Sequence, residues 1–210
     1  MKDFIFTGSM VGGNFDSHVR EQLPFYDLVT DSVSMIIRNY LPQNGLLYDI
    51  GASTGNVTKS VESVILDRNA RAVSIDSSED MINTWKGVGE SVTADGVTYP
   101  YEEFDVAVCF LVLMFMTIEQ RKALLHTLYK KKKQGGVIIV VDKLLVQGGY
   151  FGTVMRRLTF DWKLKNNAKP EDIIKKELSL AGVQRPMTKE EIITGQEFFR
   201  LGEFVGWVVE

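Results

Sequence analysis

A single α/β domain, with a doubly wound, mostly parallel sheet and a C-terminal antiparallel strand pair, is predicted by three features of this 210-residue chain. Short apolar runs alternate with amphipathic stretches at close spacing, which is the pattern of strands joined by crossover helices. The runs 45–50, 71–76, 104–111 and 137–141 are apolar along most of their length, as strands covered on both faces are. Near the end, 198–201 and 204–209 are two apolar stretches divided by Gly202 and Glu203, which read as a hairpin closing one sheet edge.

The connecting elements follow in order. Residues 1–44 are expected to form an N-terminal helical cap, since Leu28, Val29, Val33, Ile36, Ile37, Tyr40 and Leu41 recur at helical spacing and Pro24 should open a new helix. Val57, Val61, Val64, Ile65 and Leu66 predict one amphipathic helix from Asn56, and a short helix over 79–86 leads to a brief strand at 91–94. A helix over 118–131 carries Leu124, Leu125, Leu128 and Tyr129 on one side and is expected to end in a turn at Gln134-Gly135-Gly136. Two further helices are expected over 150–165 and 170–180.

A chain of this length can bury one sizeable core and is short for two. Its 45% hydrophobic and 24% charged residues are ordinary globular values, and a net charge of −3 offers no global attraction to nucleic acid or anionic lipid. The N-terminal residues lack the apolar stretch of a secretory signal and no window reaches the ~18 apolar residues of a membrane span, so the cytoplasm is the expected compartment. Cys109, the sole cysteine, sits in an apolar run and is expected in the core. No Cys/His cluster suggests a metal. The Lys130–Lys133 run reads as a solvated helix end, with a phosphate-binding patch as the alternative.

The chemistry is concentrated in Asp49-Ile50-Gly51-Ala52-Ser53-Thr54-Gly55, which follows a buried strand and opens a helix. Glycines there allow a ligand to approach the backbone more closely than a β-carbon would permit. Asn56 stands where a dinucleotide fingerprint needs its third glycine, and no lysine completes a phosphate-binding loop. Asp76 ends the next strand, placing a carboxylate one strand away where it can accept both hydroxyls of a ribose. Asp95, after the third strand, fits either an adenine contact or a loop cap. Acid, glycine turn, helix, strand and acid together describe a nucleoside pocket without pyrophosphate, which S-adenosylmethionine satisfies.

On these residues the chain resembles the class I methyltransferases, whose first motif Asp/Glu-x-Gly-x-Gly-x-Gly is matched here with Ser53 at the middle glycine. It is similar above all to the carboxy-S-adenosylmethionine synthases of the tRNA wobble-uridine pathway. Phe15-Asp16, Leu23-Pro24-Phe25-Tyr26, Tyr48 to Gly55, Ile75-Asp76-Ser77-Ser78, Met81-Ile82, Arg121, Gly135-Gly136, Lys143 and Asp161-Trp162-Lys163 carry that similarity. The resemblance implies a Rossmann-like fold and a homodimer. It implies S-adenosylmethionine, S-adenosylhomocysteine or carboxy-S-adenosylmethionine as cofactor, and an acceptor that the residues leave unidentified. Tyr26 would reach into the site, Gly51, Ala52 and Ser53 would meet the methionine tail, Asp76 the ribose, and Asp95 with Gly96 the adenine. Asp49, Gly55, Ser77, Met81 and Phe110 complete the expected cofactor-binding set.

Two departures stand out. Phe110 occupies the place of an asparagine, and Glu177 falls where an arginine grips the extra carboxylate; Lys175 and Lys176 beside it, or Arg156, Arg157 or Arg200, are the available cations. Of the two histidines, His126 reads as structural among leucines and His18 as an active-site candidate on the capping helix, so no general base is assigned. The expected function is methyl transfer to an unidentified acceptor. The alternatives are a carboxy-S-adenosylmethionine synthase-like reaction or cofactor binding without catalysis.

Overall fold

The computed structural model describes residues 15–146, 148–192 and 195–210. The cap expected over 1–44 is therefore described only from Phe15, as α1 (Phe15–Gln22) and α2 (Tyr26–Tyr40) on either side of Pro24. Seven strands, β1 (Leu46–Ile50), β2 (Arg71–Asp76), β3 (Glu90–Thr93), β4 (Phe104–Phe110), β5 (Lys132–Lys143), β6 (Gln196–Leu201) and β7 (Phe204–Val209), form one sheet in the order β3-β2-β1-β4-β5-β7-β6. The first five run parallel. The hairpin β6–β7 joins antiparallel, with β7 against β5 and β6 outermost.

Strand alternation sorts the core into two layers. Tyr48, Ile50, Ile75, Cys109 and Val140 face one side, where Leu124 and Leu128 of α6 (Ile118–Lys131) pack; Cys109 is accordingly a fully buried thiol. Leu47, Ala72, Val108 and Ile139 face the other, against Val29, Val33 and Ile37 of α2. Thr117 and Gln120 close a reciprocal capping box at the start of α6. The helices α7 (Tyr150–Lys165) and α8 (Pro170–Ser179) follow β5.

Four expectations are corrected. The helix after Asn56 is two short pieces, α3 (Asn56–Ser60) and α4 (Glu62–Asp67), because Val61 leaves the helical region at φ −117°, ψ 20°. The helix α5 (Glu79–Asn83) stops early, and Lys86 N–H turns back to the Thr54 carbonyl at 2.9 Å. The Gly135-Gly136 pair does not lie in a turn between helix and strand: β5 already begins at Lys132, and its register against β4 slips between Phe104↔Lys132 and Val106↔Val137. Gly135 takes φ +78° in that irregularity, and a β-carbon on Gly136 would stand 2.7 Å from the Asp105 carbonyl. His126 points to solvent from α6 rather than into the leucines. The lysine run is a helix end only in part: Lys130 and Lys131 close α6, while Lys132 and Lys133 open β5, with Lys133 paired to Asp105 at 2.9 Å.

Arg121 is the largest of the fully buried side chains. Its guanidinium grips Glu191 at 2.6 and 2.9 Å and the Arg185 carbonyl at 2.7 Å, tying α6 to the segment before β6.

Candidate active site at the carboxyl edge of the sheet

A cavity of about 310 Å³ opens where β1, β2 and β4 end, roofed by α1 and by α7 and α8. Its floor is the glycine turn. Gly51 at φ +72° and Ala52 both donate to the Ile75 carbonyl, at 2.8 and 3.1 Å, which lashes the turn to β2. A β-carbon on Gly51 would lie 2.4 Å from Val112 Cγ2. Gly51→Ala is therefore expected to cost about 2–4 kcal/mol from clash plus left-handed strain, read as a fall in the denaturation midpoint. A loss below about 0.5 kcal/mol, the range of an ordinary surface substitution, would mean the turn is not so confined.

Ser53, at φ +50°, shows why the middle position of this motif favours glycine: its backbone is left-handed. Its N–H donates to Asp76 Oδ2 at 2.8 Å, and its hydroxyl lies 3.4 Å from Met81 Sδ. Asp76 Oδ1 accepts from Ser78 N–H at 2.9 Å, and Ser78 in turn caps α5, which carries Met81. Burial raises the Asp76 carboxyl above its ordinary value, while backbone donors at Ser78, Ser53 and Ser77 work against that rise.

Asp49 is the electrostatic centre. Its carboxylate is 1% exposed and neither oxygen has a partner. Burial, with Asp76 nearby, pushes its pKa up to about 7. An orphaned buried carboxylate on a cavity wall is a place for a cation or a hydrogen-bond donor.

Beside it Tyr26 meets Phe110 edge to face, ring centroids 5.4 Å apart at 90°, forming an apolar wall where the related asparagine would put an amide. Asp95 caps its own loop, its carboxylate accepting Val97 N–H at 2.8 Å, and it also lines the cavity. Gly96 is buried, 2.9 Å from Ile50 Cγ2 if it bore a β-carbon. Ser77 also faces the cavity.

Of the twelve expected site residues, only Gly55 stands apart from the cavity lining. It is the left-handed residue before α3, and a β-carbon there would strike the Trp85 ring nitrogen at 2.5 Å, so its role is packing. The roof is pinned from this side by Asp16, whose Oδ1 accepts from Thr54 Oγ1 and Asn56 Nδ2, both at 2.7 Å.

The opposite wall carries charge that sequence reading did not assemble. Lys143, Lys163 and Lys176 all line the cavity, from β5, α7 and α8. Lys163 pairs with Glu177 at 3.2 Å, so the glutamate in the arginine's place neutralises a lysine. Lys176 Nζ lies 3.1 Å from His18 Nε2, and burial followed by repulsion from Lys163 lowers its pKa to about 8. Lys175 lies outside this cavity. Arg156 and Arg157 are solvent-exposed and Arg200 is held by Glu197 at 2.6 Å, so none of the three arginines reaches it. Among the described residues no cluster of metal-binding side chains occurs, and no helix is long and apolar enough to cross a membrane.

Known proteins resemble this chain in sequence and in fold. Residues 48–140 match the family described as methyltransferase domain. Carboxy-S-adenosyl-L-methionine synthase of Staphylococcus epidermidis is 29% identical over 191 residues, covering 89% of this chain and 83% of that protein. The protein of the same name from Shewanella piezotolerans is 27% identical over 200 residues, covering 91% and 82%. Magnesium protoporphyrin IX methyltransferase from Synechocystis PCC 6803, solved with bound SAH, superposes with a TM-score of 0.61 at 13% identity, covering 95% of this chain and 94% of that one. A methyltransferase domain match running from β1 into β5 and similarity to carboxy-S-adenosyl-L-methionine synthases along nearly the whole chain thus accompany the fold of the class I S-adenosylmethionine-dependent methyltransferases.

Proposed function

We propose that the cavity binds S-adenosylmethionine with its ammonium against Asp49, and that the enzyme transfers a group from or to the carbon on its sulfonium. The observation that carries this reading is the unpartnered Asp49 carboxylate beside the Gly51 turn, which calls for a ligand with both a cation and a tail able to approach bare backbone. In this reading Gly51, Ala52 and Ser53 lie along the amino-acid tail, Asp76 accepts the ribose hydroxyls, and Met81, Ser77, Asp95 and Gly96 surround the adenine.

When bound, the cofactor supplies an electrophilic carbon beside a good leaving group, so the chain's work is alignment and exclusion of water. Tyr26 and Phe110 do this as an apolar wall, and α1 covers the cavity from above. Methyl transfer to an unidentified acceptor is the primary reading. A carboxy-S-adenosylmethionine synthase-like reaction is the second, favoured by Lys176 of the far wall, which offers a point charge to a carboxylate where an arginine fork is missing while Lys143 and Lys163 are paired with Glu203 and Glu177, and by the names of the relatives. Placement in the cytoplasm, a homodimer and a link to tRNA modification rest on sequence and resemblance.

Calorimetric titration with S-adenosylmethionine and S-adenosylhomocysteine tests the reading. Asp76→Ala should lose about 3 kcal/mol of binding, on the order of a hundredfold, as two charge-assisted hydrogen bonds disappear. Melting of the same variant checks that it folds. No binding of either ligand to the parent protein overturns the assignment, and a cofactor gaining the mass of a carboxylate during turnover selects the second reading.

A further inference from the structure

Phe110 closes β4, and the residues after it turn back along the cofactor cavity. Leu111, Val112, Met114, Phe115 and Met116 all line that cavity, and Val112 is the side chain that confines the Gly51 turn. This apolar wall holds two conformations that its own residues do not favour. Leu111 has φ +58°, a left-handed backbone that a residue other than glycine keeps only where its surroundings impose it. Leu113–Phe115 forms a single 3-10 turn, and the residue leading into it, Val112, has no side-chain oxygen with which to cap it.

What imposes both conformations comes from β5. The Val141 carbonyl accepts Leu111 N–H at 2.7 Å. The next residue, Asp142, supplies the missing cap from a distant strand: its Oδ2 accepts Met114 N–H at 3.2 Å, while its Oδ1 accepts Lys143 N–H at 2.7 Å. Leu113 N–H acts on the same carboxylate. On the other side Arg185 N–H donates to the Met114 carbonyl at 2.6 Å, so both backbone polar groups of Met114 are held. Asp142 is fully buried and stands behind the wall, outside the cavity lining. Burial pushes its carboxyl up to about 7, against the pull of the backbone donors at Lys143, Met114 and Leu113 and of Arg121. A charge kept at that cost, two residues along the strand from Val140 in the apolar core, answers a demand other than packing.

We infer that Asp142 is a positioning residue for the cofactor: its carboxylate fixes the 3-10 turn, and with it the apolar wall from Leu111 to Met116, in the place where the bound cofactor meets it. The inference rests on the cofactor reading of the cavity and adds to it a residue that lies outside the cavity.

The test compares the parent with Asp142→Asn at pH 8, where the parent carboxyl is ionised. The amide keeps the shape but offers one acceptor oxygen to donors on both sides, so one backbone N–H is left facing an NH2 group. Hydrogen exchange of the Leu113 and Met114 amides is followed by NMR beside that of Ile139 and Val140 in β5, with urea midpoints and calorimetry of S-adenosylhomocysteine. In the variant Met114 N–H should exchange about tenfold faster or more, and the ligand should bind about tenfold more weakly. Exchange at Ile139 and Val140 and the urea midpoint should stay near those of the parent, because the amide also removes the burial cost of the charge. An unchanged affinity would overturn the inference, as would a loss accompanied by equal acceleration at Ile139 and Val140, which is the mark of a merely structural residue. The parent alone gives a second decision that does not depend on the variant folding: its Met114 amide should be protected and should shift on ligand binding, and exchange at the rate of an open loop or an unmoved signal overturns the proposal. Failure of S-adenosylhomocysteine to bind the parent would instead strike the cofactor reading, while the exchange rates still decide whether Asp142 holds the turn.

Discussion

At pH 8 the Asp49→Asn variant is expected to resist denaturant better than the parent protein while binding S-adenosylhomocysteine far more weakly. Burial lifts the Asp49 carboxyl from 3.8 to about 7. A raised acid pKa means that the folded state holds its proton longer than the unfolded state. Stability is thus full below about pH 4, falls as pH climbs toward 7, and stays low above it. At about 1.4 kcal/mol per unit the full shift amounts to roughly 4 kcal/mol, of which relaxation and water entry in a real cavity leave ~1–3. The amide removes this cost while keeping the shape. Asp142, buried and also pushed up to about 7, stays in place, so the slope between pH 4 and 7 is reduced rather than abolished. Loss of the carboxylate opposite a ligand ammonium should weaken binding on the order of a hundredfold. Urea midpoints of both proteins at pH 5 and 8, with calorimetry at pH 8, decide the matter. Identical pH slopes would show that Asp49 is not the group that titrates. In the parent, ligand binding near pH 6 should also release a proton, seen as a dependence of binding heat on the buffer.

The second large effect concerns Arg121, far from solvent and remote from the proposed chemistry. Arg121→Met is expected to destabilise by ~3–5 kcal/mol, because it strands the Glu191 carboxylate, 8% exposed, with only Thr188 N–H at 2.7 Å. For a chain of this size that is roughly a 10 °C fall in Tm. Arg121→Met/Glu191→Leu should recover much of the loss, since an apolar pair of similar volume pays no desolvation. The same segment donates Arg185 N–H to Met114 O at 2.6 Å, and Met114 lines the cofactor cavity, so the single variant should also bind ligand more weakly. A single variant within about 1 kcal/mol of the parent would rank this pair with ordinary surface contacts.

Elements governed by local periodicity were legible from sequence. The runs that became β2, β7 and α6 match their predicted bounds because burial on both faces, or on one helical stripe, writes itself into consecutive residues. The floor of the site was legible for the same reason: Asp49 and Asp76 belong to adjacent parallel strands, whose carboxyl ends lie side by side, and the turn from Gly51 to Ser53 follows the first of them directly. What failed depended on contacts between distant segments. Val61 breaks a helix whose apolar spacing is unbroken, and the Gly135-Gly136 pair reads as a stop signal although it serves a register slip against Asp105. The far wall was hidden because Lys143, Lys163 and Lys176 lie on three elements with no shared motif, and only the tertiary fold brings them round one cavity. The weak signal available was their polarity, at the end of an apolar strand for Lys143 and on half-apolar helices for Lys163 and Lys176.

The place of β7 also bears on how the chain comes to be made. It is among the last segments in sequence order, yet it lies inside the sheet between β5 and β6. Until α7, α8 and the following loop have been synthesised, β5 presents Val137 to Val141, an uncharged β-branched run, along an open edge. Such an edge is a template for pairing with another nascent chain. The terminal hairpin is therefore a late-arriving guard: substitutions in Phe204–Val209 that slow its docking should show first as aggregation during synthesis, before any defect in the finished enzyme.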